Sequence, residues 1–98
     1  QPVHWFLLNA EANTEVDLTA VDAMEALRKT LEERGIRFAM ARVKQDLRRS
    51  LEPAGFIESV GEEYIFATLP TAVKGYSVEF RDRFGNFPEG VPKEILEL

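Results

Sequence analysis

A carboxylate and a hydroxyl lie close together at the start of a long amphipathic stretch of this chain. Asp17 and Thr19 are two positions apart, with Leu18 between them and Ala20 directly after them. Side chains of these types are common at the beginning of a helix, where their oxygen atoms accept hydrogen bonds from free backbone N–H groups. A partner protein or a ligand can also recognise such groups. The segment therefore predicts a helix cap, and a docking surface is the compatible functional alternative.

Four basic side chains form the only basic cluster in an otherwise acidic chain: Arg42, Lys44, Arg48 and Arg49. A solvated surface or ion pairs within the chain are the simpler interpretation of this cluster. Arginine forks and helix N-termini also suit phosphate groups, so a nucleotide or an acidic partner is the alternative. The sequence has no glycine-rich phosphate loop of either common type. A nucleotide would therefore bind here without a recognisable loop motif.

No residue set supports catalysis or metal binding. The chain has no cysteine, and His4 is its only histidine, which removes thiolate chemistry and a histidine pair. The neighbouring carboxylates of Glu62 and Glu63 lack the spacing of a metal-binding loop. Neither a Ser-His-Asp set nor an acid–base pair can be located. We therefore expect no enzyme activity and no metal.

Length and charge limit the classes of protein to which this chain can belong. Ninety-eight residues predict a single domain. A net charge of −5 argues against binding a nucleic-acid backbone over a broad surface. No apolar run approaches the roughly 18 to 20 residues that cross a bilayer, and the first residues carry no basic region of a signal peptide. We expect no nucleic-acid partner and no direct membrane insertion by this segment.

The spacing of apolar residues predicts the elements that position these side chains. Residues 3–8 predict a buried strand, and residues 19–34 predict a helix that ends at Gly35. Residues 36–41 predict a second strand, which gives a βαβ unit with parallel strands. The helix start then lies at the carboxyl edge of the sheet, where open α/β proteins usually bind ligands.

The rest of the chain is predicted to continue this alternation. Residues 44–51 predict a short helix, residues 64–67 a third strand, and Pro70 to Gly85 a last helix followed by an irregular tail at residues 86–98. The inward face of the last helix is predicted to consist of four residues, Val73, Tyr76, Phe80 and Phe84. The order predicts an α/β fold with a mostly parallel sheet flanked by helices. The first strand would leave an open hydrophobic edge, as in the later part of a larger domain.

This order resembles the STAS domain, the fold shared by bacterial anti-sigma factor antagonists and the cytoplasmic ends of SulP anion transporters. The resemblance extends over residues 3–73 and is greatest to actinobacterial members of the SulP branch. It rests on the Asp-Leu-Thr-Ala turn at residues 17–20 and on blocks at residues 34–44, 51–56 and 60–68. Together these blocks, in this order, carry more weight than the turn alone.

The resemblance assigns residues 1–85 to the STAS domain and residues 86–98 to the tail. Family members usually have two strands and a helix before the segment that matches residues 3–8, so this chain is expected to lack those elements. In the antagonist branch, the residue after the matching aspartate is a serine that a partner kinase phosphorylates. Here that position is Leu18, which has no hydroxyl, and Thr19 is only a weak substitute.

The resemblance therefore implies a non-catalytic regulatory domain of a SulP-type sulfate or other anion transporter, on the cytoplasmic face of the inner membrane. The implied partners are the transmembrane domain of its own transporter, a cytosolic regulatory protein, or a second copy. The implied contact surface comprises Asp17, Leu18, Thr19, Ala20, Arg42 and Lys44. No cofactor is expected; a guanine or adenine nucleotide is the one candidate ligand, because some STAS domains bind nucleotides. A free-standing anti-sigma factor antagonist is the alternative function.

Overall fold

The computed structural model describes residues 3–10 and 18–98. Seven helices and strands are found in these residues, in the order β1 Trp5–Asn9, α1 Leu18–Glu33, β2 Arg37–Ala41, α2 Gln45–Leu51, α3 Phe56–Val60, α4 Leu69–Phe84 and α5 Lys93–Leu96. Single 3-10 turns at Glu52–Ala54 and Glu62–Tyr64 lie on either side of α3.

β1 and β2 pair in parallel, with α1 between them in the chain. The register runs from Trp5 opposite Arg37 to Asn9 opposite Ala41. Beyond the last pair, the N–H of Ala10 donates to the carbonyl of Ala41 at 3.0 Å. The predicted βαβ unit with parallel strands is therefore confirmed.

The predicted third strand at residues 64–67 is reduced to one parallel bridge between Ile65 and Met40. The N–H of Phe66 donates to the carbonyl of Met40 at 2.8 Å, and the N–H of Val43 donates to the carbonyl of Phe66 at 3.1 Å. The strand is cut short because the preceding residues form a 3-10 turn. The N–H of Tyr64, which would face β2 in a longer ladder, is instead bonded at 3.0 Å to the carbonyl of Gly61 in that turn.

One face of the sheet packs against α1, α2 and α3. The largest fully buried hydrophobic side chains lie on this side: Phe56, Met40, Leu47 and Leu51. Phe56 meets Phe38 of β2 edge to face, with ring centroids 5.9 Å apart. Phe56 and Ile57 are both buried residues of the short helix α3.

The other face packs against α4. Side chains alternate along a strand, so Ala39 and Ala41 face away from Phe38 and Met40, and both alanines are fully buried. Trp5 of β1 meets Tyr76 of α4 edge to face, with ring centroids 5.4 Å apart. The sheet therefore lies between two helical layers, as the predicted α/β architecture requires.

The inward face of α4 agrees with the prediction at Tyr76, which meets Trp5 of β1, and differs from it at Phe84. Ala72 and Ser77 are its fully buried residues, whereas Phe84 is 48% exposed. Small residues face the sheet because the helix approaches closely. Gly75 lies against the ring of Phe66, where an added Cβ would meet a ring atom at 2.7 Å. The buried hydroxyl of Ser77 is satisfied, since it donates to the carbonyl of Val73 at 2.7 Å.

Residues 86–98, predicted as an irregular tail, include the one-turn helix α5, which contacts α4. The ammonium of Lys74 on α4 donates to the backbone carbonyl of Leu98. Among the described residues, no helix combines the length and apolar character that crossing a bilayer requires.

Candidate functional site

Helix starts and strand ends converge at the carboxyl edge of the sheet. α1 follows β1, α2 follows β2, and α4 follows the bridge at Ile65. The first N–H groups of a helix have no partner within it and carry partial positive charge, so the starts of α1 and α2 bring such donors to one edge. At the start of α4, Pro70 has no N–H and the N–H of Thr71 donates to the side chain of Thr68. We call the surface formed by residues 18–20, 42–44 and 67–68 the carboxyl edge.

The start of α1 places the predicted docking residues at the carboxyl edge. Leu18 is the first residue of α1, Thr19 is exposed and Ala20 is half-buried. Because Leu18 is already helical, Thr19 lies within the first turn and not at the cap, which corrects the capping prediction for this residue. Asp17 lies outside the described residues. Phosphorylation of Thr19 stays a prediction.

A tight turn joins β2 to α2 and places the other two predicted site residues at the same edge. Arg42 has a φ of 60°, in the left-handed region that residues with a Cβ occupy at a cost of about 1 to 2 kcal/mol. Val43 is buried, and Lys44 is the exposed N-cap residue of α2. The side chain of Lys44 makes no capping hydrogen bond. The sequence did not predict the conformation of Arg42.

Arg48 and Arg49, the other two members of the basic cluster, form ion pairs within the chain. Arg48 pairs with Glu52 at 3.1 Å and also with Glu62, and this hydrogen bonding to Glu62 raises the pKa of Arg48 above its ordinary value. Arg49 lies 3.7 Å from the carboxylate of Asp46. The interpretation as ion pairs within the chain is therefore confirmed for Arg48 and Arg49.

The opposite edge of the sheet holds a cleft of about 290 Å³, which no pattern in the sequence predicted. The cleft lies where β1 and β2 begin and where α1, α3 and α4 end. We call it the amino-edge cleft, defined by five charged side chains, Arg28, Glu32, Arg37, Glu79 and Arg83, together with His4.

A half-buried glutamate organises one wall of the amino-edge cleft. The carboxylate of Glu79 accepts hydrogen bonds from the indole N–H of Trp5 and, at 3.2 Å, from the hydroxyl of Tyr64. The guanidinium of Arg37 stacks over the Tyr64 ring, 4.1 Å from its centroid. Burial raises the pKa of Tyr64, the charge of Glu79 adds to this effect, and Arg37 opposes it. The sequence signal was a carboxylate three residues after Tyr76, inside an apolar helix face.

The wall formed by α1 is an ion-pair network centred on Arg28. This side chain is 16% exposed; it pairs with Glu25 and, at 3.0 Å, with Glu32. Burial alone would lower the pKa of Arg28, but the hydrogen bonds and charges of these two carboxylates outweigh that effect and raise it. The spacing of three and four residues along one helix was the available signal.

The fold agrees with comparisons to known proteins. A family model of the STAS domain matches residues 2–72, and the chain belongs to the STAS domain family. The predicted fold is thereby confirmed, and the sulfate transporter relatives described next confirm the resemblance to the SulP branch.

Known relatives are membrane-transport proteins by name. The chain is 62% identical over 74 residues to probable sulfate transporters from two Mycobacterium tuberculosis strains; the match covers 76% of this chain and 13% of each relative. It is 35% identical over 60 residues to a low affinity sulfate transporter of Stylosanthes hamata, covering 61% of this chain and 9% of that protein. The chain thus spans about an eighth of the mycobacterial relatives.

A solved structure has the same fold. The crystal structure of a sulfate transporter family protein from Wolinella succinogenes superposes with a TM-score of 0.68 at 29% identity. The match covers 69% of this chain and 56% of that one.

Proposed function

We propose that this chain is a non-catalytic regulatory domain of a SulP-type transporter of sulfate or another anion, on the cytoplasmic face of the membrane. The identity of 62% to mycobacterial proteins named as probable sulfate transporters is the observation that supports this most. The matched segment is 13% of those proteins, which is the size of one domain within a much larger chain.

The domain would act through contacts made by the carboxyl edge. The partial positive charge of the helix starts and the exposed Lys44 suit an acidic or carbonyl-rich segment of the transmembrane domain or of a cytosolic regulator. The left-handed turn at Arg42 supports this choice, because strained backbone is often found at functional surfaces.

The parent protein tests the assignment to a transporter. An antibody against this domain should detect, in membrane fractions of the source cell, a protein several times larger than 98 residues. A small species confined to the soluble fraction would contradict the proposal and favour the free-standing anti-sigma factor antagonist.

Charge removal at the carboxyl edge tests the contact surface. In the parent transporter, Lys44→Gln should lower sulfate uptake several-fold per molecule in the membrane. Lys29→Gln is the matched control, because Lys29 is also exposed but lies in the second half of α1, away from the carboxyl edge. Equal uptake by the two variants at equal membrane abundance would contradict a role for this surface.

A nucleotide is a second candidate ligand of the carboxyl edge, suggested by its helix starts and by Arg42 and Lys44. Isothermal titration of the protein with GTP and with ATP would measure nucleotide binding. Binding that Lys44→Gln weakens and Lys29→Gln leaves unchanged would support this ligand. The absence of binding heat at millimolar nucleotide would exclude a nucleotide as a ligand of this edge.

A further inference from the structure

In the amino-edge cleft, both carboxylates accept hydrogen bonds from neighbouring side chains. Two of the three arginines, in contrast, have no carboxylate partner among the described residues. Glu32 is paired with Arg28, and Glu79 accepts from Trp5 and Tyr64. Neither Arg37 nor Arg83 forms an ion pair with any carboxylate among residues 3–10 and 18–98. With Glu25 counted beside Arg28, the three arginines and three glutamates of this region balance in number, so any attraction for an anion is local to the two guanidinium groups that lack an ion partner.

Both of these guanidinium groups lie over aromatic rings. Arg37 lies over Tyr64, and the guanidinium carbon of Arg83 is 5.4 Å from the centroid of the Phe84 ring. Stacking restrains a guanidinium group while leaving the N–H donors around its planar edge available. Those donors match the oxygen atoms of a tetrahedral anion or a carboxylate.

We propose that the amino-edge cleft binds a small inorganic oxyanion, sulfate or phosphate, between Arg37 and Arg83. A cleft of about 290 Å³ accommodates such an ion with a few water molecules. The site is distinct from the carboxyl edge, because it lies where the strands begin. The inference does not depend on the proposed transporter function.

The competing explanation is that these arginines only complement helix ends. Arg83 lies in the last turn of α4, and α1 also ends at this edge, so backbone carbonyls with partial negative charge are nearby. That role would account for Arg83 without any ligand. It does not account for Arg37, which lies at the first position of β2. The two explanations differ in whether an anion binds saturably.

Trp5 supplies the probe for this test. It is the only tryptophan of the chain, and its indole donates to Glu79 in the wall of the cleft. We expect a saturable change in tryptophan fluorescence when sodium sulfate or sodium phosphate is added to the 98-residue protein, at ionic strength held constant with sodium chloride. Isothermal titration would provide an independent dissociation constant. Constant ionic strength removes signal changes that come from charge screening alone, and saturation distinguishes binding from the non-specific stabilisation that sulfate produces.

Four arginine variants decide the result. Arg83→Gln and Arg37→Gln should each weaken binding about tenfold or more, the loss expected for a charge-assisted hydrogen bond. Arg81→Gln is the matched control, because Arg81 lies in the same last turn but stacks on Phe87 and pairs with Asp82. Arg83→Lys keeps the charge and should bind with intermediate affinity. Circular dichroism would establish that each variant is folded.

Two results would overturn the proposal. The first is the absence of a saturable signal with either anion, which would leave helix-end complementation as the role of Arg83. The second is binding that Arg37→Gln and Arg83→Gln weaken no more than Arg81→Gln does, since the anion would then lie elsewhere on the protein.

Discussion

At the scale of single residues, the close approach of α4 to the sheet depends on one glycine. Gly75 lies against the Phe66 ring, where a Cβ would come within 2.7 and 2.9 Å of two ring carbons. Phe66 is also held by backbone hydrogen bonds to Met40 and Val43, so its backbone cannot easily retreat. This contact explains why a residue of low helix propensity occupies the middle of a 16-residue helix.

We therefore expect Gly75→Ala to destabilise the protein despite the better helix propensity of alanine. Overpacking costs about 1 to 3 kcal/mol, whereas the propensity gain is no more than about 1 kcal/mol. Urea unfolding would measure the difference in free energy. In a Phe66→Leu background, the smaller side chain should relieve most of the loss. Equal losses in the two backgrounds would show that the ring contact is not the cause.

Tyr64 gives a residue-scale prediction about pH. Burial and the nearby carboxylate of Glu79 raise its pKa above the ordinary value of 10.0. An acid with a raised pKa in the folded state binds its proton more tightly there than in the unfolded chain. The contribution of Tyr64 to the free energy of unfolding is therefore complete below pH 10. It is lost as the pH rises through the pKa that Tyr64 has in the folded state.

Unfolding free energies at pH 9 and pH 11 would measure this contribution. The wild-type protein should lose more stability across that interval than Tyr64→Phe, which cannot ionise. Tyr76→Phe is the control for removing a tyrosine hydroxyl from a neighbouring half-buried site. The same pH dependence in wild type and in Tyr64→Phe would contradict the assignment.

At the scale of elements, the helices differ in how much they contribute to the core. Leu47 of α2 is 1% exposed, whereas Leu27 of α1 is 39% exposed. Leu47→Ala should cost about 2 to 5 kcal/mol, and Leu27→Ala should cost less than about 1 kcal/mol. The two changes are chemically identical, so unfolding free energies compare burial alone. A similar cost for both would show that α2 is not anchored as described.

The start of α4 depends on a side-chain cap. The hydroxyl oxygen of Thr68 accepts from the N–H of Thr71 at 3.2 Å. Thr68→Ala should cost about 0.5 to 2 kcal/mol in unfolding free energy. Thr30→Ala is the control, because the exposed Thr30 hydroxyl donates to the Ala26 carbonyl, at 3.0 Å within α1, and caps no helix start. That change should be neutral or slightly stabilising, since alanine has the higher helix propensity.

At the scale of the whole molecule, β2 joins two helical layers. Phe38 and Met40 pack toward α1 and α3, while Ala39 and Ala41 are buried on the side of α4. Because one strand serves both layers, we expect them to unfold together. Urea transitions followed by Trp5 fluorescence, which reports on the α4 side, and by far-ultraviolet circular dichroism should have the same midpoint. Separate midpoints would show that the layers are independent units.

The two edges of the sheet differ in what the sequence could reveal. The carboxyl edge was predictable, because parallel strands and their following helices must bring the start of α1 together with Arg42 and Lys44. The amino-edge cleft was not. Its Trp5–Glu79 hydrogen bond joins residues 74 positions apart, and a pattern read along the chain carries no information on such a pair.

The sequence by itself determined β1, α1, β2, α2 and the membership of the STAS family. Those elements have apolar residues at the period of a strand or a helix, and burial of that face decides their conformation. Only the tertiary structure decided that residues 64–67 form a single bridge, because local 3-10 bonds compete there with ladder bonds. It also decided that α4 presents Ala72 and Ser77 to the sheet, since a close approach favours small side chains over the predicted Phe84.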